Sequence, residues 1–200
     1  MVDALNRPGR ETRAERSARI REELIAAAAK VFRRDGFHGA SLDRVSAEAG
    51  YTKGAVYSNF EGKDDLFFAV YDRQVAGRFD RLTEAFDAGG MRETIHLYMQ
   101  LVDEDLEWSI LLVEFTAYAS RHTHLRAALA ERSRALTARV ADHMGSSVSE
   151  DPDVVDRISL AALIVGTGVT VRRVVDPGGV PEDLAEALVV RFMKGEGINT

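Results

Sequence analysis

Five residues within a span of seven, Thr52, Lys53, Gly54, Tyr57 and Ser58, combine chemistry suited to a polyanion. An ammonium such as that of Lys53 can donate to a phosphate or to a guanine edge, and the hydroxyls of Thr52, Tyr57 and Ser58 can donate to phosphate oxygens. Gly54 has no side chain to hold its helix away from a partner. A glycine inside a helix costs roughly 1 kcal/mol relative to Ala, so its presence asks for a reason. Close approach to DNA is one, and a tight helix crossing is another. Asn59 stands at the edge of the same surface. Ser41 and Arg44 lie on the preceding helix, where they are expected to meet a phosphate backbone, although Ser41 is equally well placed as a helix cap. Lys63 opens the next helix. A cation there opposes the helix dipole but suits a phosphate bound with the helix's free N–H groups.

The elements that must position these residues are helical. A hydrophobic periodicity of 3.6 residues recurs throughout, and no alternating run bounded by a two-residue Gly turn reads as a strand. The spacing of Ile20, Leu24, Ala27, Ala28, Val31 and Phe32 predicts a first helix over 12–34, stopped at Gly36. Ser41 caps a short second helix that buries Leu42, Val45 and Ala49 and ends at Gly50, a residue free to adopt the left-handed conformation. Thr52 caps a third, which turns Val56 and Phe60 inward and breaks at Glu61-Gly62. Two helices this short are stable only when packed on longer neighbours, and their tight Gly50-Tyr51 connection is that of a helix-turn-helix. A fourth helix is predicted over 63–86 from the stripe Phe67, Tyr71, Val75, Phe79, Leu82 and Phe86, broken at Gly89-Gly90. Five more follow over 91–101, 103–120, 125–144, 153–175 and 181–194, giving an all-α chain of about nine helices.

The stretch from Phe37 to Phe60, FHGASLDRVSAEAGYTKGAVYSNF, followed by Gly62-Lys63-Asp64-Asp65-Leu66, resembles the DNA-binding signature of the tetracycline-repressor (TetR) family of bacterial transcription regulators. The resemblance implies a three-helix DNA-binding domain over 1–62, a larger helical domain over 63–200 that binds a small-molecule effector, and a homodimer that binds a double-stranded operator, usually as a repressor. Thr52, Lys53, Gly54, Tyr57 and Lys63 sit where the family contacts DNA. Asn59 departs from the His or aromatic residue common at its position and Tyr51 from a small aliphatic, so an operator sequence is not carried over. A helical enzyme or interaction module with a helix-turn-helix-like fold and no operator is the alternative.

The C-terminal region carries no motif of similar strength. Trp108-Ser-Ile-Leu-Leu-Val-Glu-Phe-Thr-Ala-Tyr118 resembles the sixth-helix region of one broad subgroup of the family. Trp108, Leu111, Leu112, Phe115 and Tyr118 share a wide face and, with Phe68, Tyr71, Tyr98 and Met99, could line an apolar effector cavity; ordinary core packing accounts for the same pattern. Glu114 stands among them, where a carboxylate is expensive unless exposed or paired, with Arg121 or Arg172 for example, or matched to a cationic ligand. Leu160, Leu163 and Ile164 on one helix and Leu184, Leu188 and Phe192 on the next form stripes that suit a four-helix bundle across a two-fold axis, with Gly166 and Gly168 allowing close packing; core packing within the chain accounts equally well for the segment 160–171.

Net charge sharpens the division. The chain carries −6 in 200 residues, which alone argues against nucleic acid, yet residues 1–63 hold 12 Lys and Arg against 9 Asp and Glu while the remainder holds 14 against 23. Six Arg (Arg7, Arg10, Arg13, Arg16, Arg19 and Arg21) fall in the first 21 residues. With no Cys, disulfide, thiolate and Cys-zinc chemistry are absent. The five His form no ligand spacing, and no phosphate loop or nucleophile elbow occurs, so no metal, cofactor or catalytic residue is expected. The uncharged run 158–171 is short for a membrane span and reads as a buried helix, and the polar N-terminus lacks a signal-peptide core. A cytoplasmic protein without a membrane partner is the expectation.

Overall fold

A computed structural model describes residues 11–198. Eight helices and no strand occur among them: α1 (Arg13–Gly39), α2 (Leu42–Ala49), α3 (Lys53–Tyr57), α4 (Lys63–Glu104), α5 (Leu106–Ala119), α6 (Thr123–Val148), α7 (Pro152–Val175) and α8 (Glu182–Gly195). The expected fourth and fifth helices form the single element α4, interrupted at Gly90, whose φ of 68° and ψ of −155° are non-helical. The expected stop at Gly36 is likewise a non-helical residue, φ 70°, within the bounds of α1. Arg7 and Arg10 lie outside the described residues.

Two compact units divide the chain, the first ending at Arg73 and the second beginning at Gln74. The division falls inside α4 rather than at the Glu61-Gly62 break. Its first turns supply Leu66, Phe67 and Val70 to the N-terminal core, where the Phe67 ring meets Phe32 and Phe37 edge-on, each at 5.4 Å between centroids. Leu24, Ala28, Val31, Val45, Val56 and Phe60 complete that core. α1 starts at a capping box, with Thr12 Oγ1 accepting from the Glu15 amide and the Glu15 carboxylate accepting from the Thr12 amide.

In the second unit, α5 begins at Asp105, whose carboxylate accepts from the Trp108 amide at 3.1 Å. It buries Trp108, Leu111, Phe115 and Ala119 along one face. α6, α7 and α8 pack through Ala141, Met144, Val155, Ile158, Val189 and Met193. A smaller cluster joins Met99 of α4 to Val169 of α7 and Ala185 of α8. Polar contacts reinforce it. Tyr98 Oη donates to the Gly166 carbonyl at 2.9 Å and lies 2.8 Å from Thr170 Oγ1, and the buried Arg173 guanidinium pairs with Asp103 and donates to the Val180 carbonyl.

α7 is only partly the buried helix that its composition suggests. Val155, Ile158, Ser159, Gly166, Val169 and Thr170 face protein, whereas Leu160, Ile164, Val171 and Val175 face solvent. Among the described residues α7 is the one helix long and apolar enough to cross a membrane, by length and composition only; its inner face is occupied by protein core.

Candidate functional site

The helix-turn-helix is built from caps. Ser41 Oγ accepts from the Arg44 amide at 3.3 Å, fixing the start of α2. Gly50 ends it in the left-handed region, φ 71° and ψ 23°, with the Tyr51 amide reaching back to the Ser46 carbonyl at 2.9 Å. Thr52 Oγ1 accepts from the Ala55 amide at 3.3 Å and starts α3. α3 has five residues, shorter than the eight or so expected. Ser58 Oγ and Asn59 Nδ2 both donate to the Ala55 carbonyl, at 3.0 and 2.8 Å, which offers the backbone an alternative to continued helix. Val56 is its buried anchor, at the base of the motif.

The outward side of α3 presents Lys53, Gly54, Tyr57 and Ser58, all exposed; Tyr57 is 61% exposed, unusual for so large an aromatic side chain. Gly54 is not required by the chain itself. A Cβ added there would meet only Thr52 Oγ1, at 3.8 Å, an ordinary contact, so a tight helix crossing does not explain the glycine. The cations around this surface are engaged with carboxylates. Lys53 Nζ bonds to the Asp43 carboxylate. Arg44 Nη1 bonds to Asp35 at 2.9 Å, and Arg34 reaches Asp35 at 3.0 Å and Glu48 at 3.4 Å. The Arg34 guanidinium, and then Arg44, hold the Asp35 carboxyl below the usual carboxylate range.

Lys63 has a different environment from the one its sequence position suggests. Its ammonium donates to the carbonyls of Phe37, Ala40 and His38 at 2.9, 3.3 and 3.5 Å and lies 4.5 Å from the centroid of the Phe37 ring. The ammonium expected to meet a phosphate thus also ties α4 to the end of α1. Tyr51, where the chain departs from the family's usual aliphatic residue, donates its hydroxyl to Glu23 of α1 at 2.5 Å, tying the turn of the motif to that helix. That bond, then the Arg19 guanidinium, keeps the Glu23 carboxyl low, while the same carboxylate raises the Tyr51 phenol. No spacing rule in the sequence points to this pair, because its members are 28 residues apart.

Of the residues expected to line an effector cavity, Tyr98, Met99, Trp108, Leu111, Glu114, Phe115 and Tyr118 belong to the second unit and Phe68 and Tyr71 to the first. Trp108, Leu111, Phe115 and Met99 are buried, and Tyr98, Glu114 and Tyr118 half-buried. The Tyr118 ring lies 4.2 Å from that of His122 and 6.2 Å from that of Phe115. Burial raises the Tyr98 phenol, so it remains a neutral donor near pH 7. Among the described residues, no group of three or more His, Asp or Glu is arranged to hold a metal ion.

The stripes expected at a subunit interface divide. Leu160, Ile164, Leu184 and Leu188 are exposed, whereas Leu163 and Phe192 are half-buried and Phe192 packs on the second unit's own core. Val171, within the expected apolar segment, and Val175, beyond it, extend the exposed stripe along α7. Gly166 serves contacts inside the chain: a Cβ there would come within 3.0 Å of the Tyr98 ring.

The pattern of the bacterial regulatory proteins of the TetR family matches residues 24–70, and that of the C-terminal region of BetI-type transcriptional repressors matches residues 88–196, more than half of the chain. The chain belongs to the TetR family. The transcriptional activator FasR of Mycolicibacterium smegmatis is 27% identical over 99 residues, 47% of this chain and 45% of FasR. The repressor BepR of Brucella suis is 39% identical over 64 residues, 32% of this chain and 30% of BepR. The matched part of this TetR-family chain thus spans under half the length of either relative. A transcriptional regulator of Rhodococcus sp. RHA1 has the same fold, with a TM-score of 0.68 at 19% identity, covering 90% of this chain and 98% of that one.

Proposed function

We propose that this TetR-family protein regulates transcription from the cytoplasm as a homodimer, most simply as a repressor, and that a small-molecule effector releases it from its operator. The observation that carries the DNA-binding part is Gly54, a helical glycine that the chain's own packing does not need, between the exposed Lys53 and Tyr57. In this reading α3 of each copy enters a major groove, Thr52 and Tyr57 donate hydroxyls to the DNA and Ser58 does so once its hydroxyl turns from the Ala55 carbonyl, Arg44 and Ser41 flank the phosphates, and the operator is roughly palindromic with half-sites about one helical turn apart. Lys63 acts indirectly, by holding the end of α1 from which α2 departs.

The exposed residues of α7 and α8 support the dimer. Leu160, Ile164, Val171, Val175, Leu184 and Leu188 would bury against their counterparts, with Leu163 and Phe192 at the margin, in an isologous interface. An effector site is proposed around Tyr98, Met99, Trp108, Leu111, Glu114, Phe115 and Tyr118, for a largely apolar molecule. Because α4 begins in the DNA-binding unit and continues into the second, a ligand that favours one conformation of α4 changes the separation of the two α3 helices and so couples the sites.

Fluorescence anisotropy with a duplex selected by the protein from a randomised pool tests the reading. Binding should weaken steeply with salt, and Tyr57→Ala should lower affinity roughly tenfold or more, about 1.4 kcal/mol, without loss of helical signal. A parent that binds no duplex at low salt, or a variant that binds equally well, refutes the assignment. Effector release with an unchanged distance between spin labels on the two α3 helices refutes the coupling.

A further inference from the structure

Lys53 meets Asp43, a carboxylate in the first turn of α2. Both side chains are more than half exposed, 65% and 53%, so burial does not force the pair. From the first turn the carboxylate also suits the positive end of the α2 dipole, a role that does not require Lys53. The cap of α2 is Ser41, and Ser46 Oγ donates at 2.8 Å to the backbone carbonyl of Asp43, not to its side chain. The Arg44–Asp35 pair differs, because Asp35 is largely covered and shared with Arg34, linking α2 to α1. A carboxylate on a surface that meets phosphates opposes binding, and the helix dipole does not account for its pairing with Lys53.

We propose that Asp43 is a specificity-determining residue: by neutralising Lys53 it directs that ammonium to a base edge in the major groove and away from the phosphate backbone. The inference rests on the operator-binding reading above. A free lysine that meets a phosphate releases a counterion, and this term drives sequence-independent binding. A lysine already neutralised by Asp43 brings no net charge to the phosphate, and the phosphate must also face the carboxylate. A base edge is a neutral acceptor. The ammonium has three protons, so it can keep one on Asp43 while donating another to an acceptor such as guanine O6 or N7. The pair therefore adds little to binding at random sequence and a directional bond at the preferred one.

The test compares the full-length parent with Asp43→Asn and Asp43→Asn/Lys53→Met, titrated across a salt series on the pool-selected duplex and on poly(dI-dC). Asp43→Asn frees the ammonium: the slope of log affinity against log salt on poly(dI-dC) should steepen by about 0.9, the value of one additional phosphate contact. Affinity for poly(dI-dC) at low salt should rise about 3- to 10-fold, and the ratio of selected to random binding should fall by a similar factor. The double variant, of the same net charge as the parent, should return to the parental slope and bind the selected duplex more weakly. An unchanged slope and ratio in Asp43→Asn overturn the proposal. So does a double variant that is shallower than the parent, since Lys53 is then a phosphate contact, or one that keeps the steep slope, since the carboxylate then acts without Lys53. Failure of the parent to bind any duplex removes the operator-binding reading and this inference with it; parental binding with any of the preceding results removes the role of Asp43 alone.

Discussion

Gly54→Ala separates stability from recognition because the two should move in opposite directions. The site has a helical, not left-handed, backbone, and the nearest atom to an added methyl is Thr52 Oγ1 at 3.8 Å, so the substitution introduces no clash. Replacing Gly with Ala in a helix removes freedom mainly from the unfolded chain and stabilises by about 0.4–1 kcal/mol where the geometry permits. The short α3 places the expectation at the low end of that range. Toward DNA the same methyl stands on the face that must approach the groove. Overfilling a close contact costs about 1–3 kcal/mol, which corresponds to roughly 5- to 150-fold in affinity. Urea denaturation followed by circular dichroism measures the first quantity, and anisotropy on the pool-selected duplex at fixed salt the second. A variant that is less stable than the parent shows that the chain itself needs the glycine, and one that binds DNA as tightly shows that α3 does not approach closely at this residue; either result refutes the reasoning.

Ile164→Asp places a charge on a side chain that is 62% exposed in the single chain, so the monomer should fold normally while the dimer weakens by about 2 kcal/mol or more, roughly thirtyfold, seen by sedimentation and by a parallel loss of DNA affinity. Lys63→Met removes the donor to three carbonyls, and the N-terminal unit should lose about 1–3 kcal/mol in urea titrations; unchanged stability with weakened DNA binding would return Lys63 to the phosphate role. Acid should destabilise the same unit. The Asp35 carboxyl is held low in the folded chain by Arg34 and then Arg44, so its contribution is present above the ordinary carboxylate pKa and lost as pH falls through the depressed one. Urea midpoints should therefore drop as pH falls from about 5 toward 2, and Asp35→Asn should show a smaller drop over that window. Equal pH dependence in the two proteins would count against Asp35 as a contributor.

What the sequence determined by itself about this TetR-family protein is what neighbours along the chain decide. The caps at Ser41 and Thr52, the left-handed Gly50, the break at Gly90 and the aliphatic stripe of α1 all depend on hydrogen bonds or side-chain periodicity within a few residues. The all-helical class, the helix-turn-helix and the identity of its outward residues were legible for that reason. The length of α3 was less so, because the Ser58 and Asn59 side chains compete for the Ala55 carbonyl and propensity alone does not rank that competition. Only the tertiary structure decided the partners. The Phe37 carbonyl that Lys63 meets at the end of α1 is 26 residues away, and Tyr98, 68 residues from Gly166, fills the space beside that glycine. Which leucines of α7 and α8 remain outside, and which cations already hold a carboxylate, follow from the same cause. A side chain's charge and size are local properties, whereas the group that answers them is set by where the folded chain brings distant segments together.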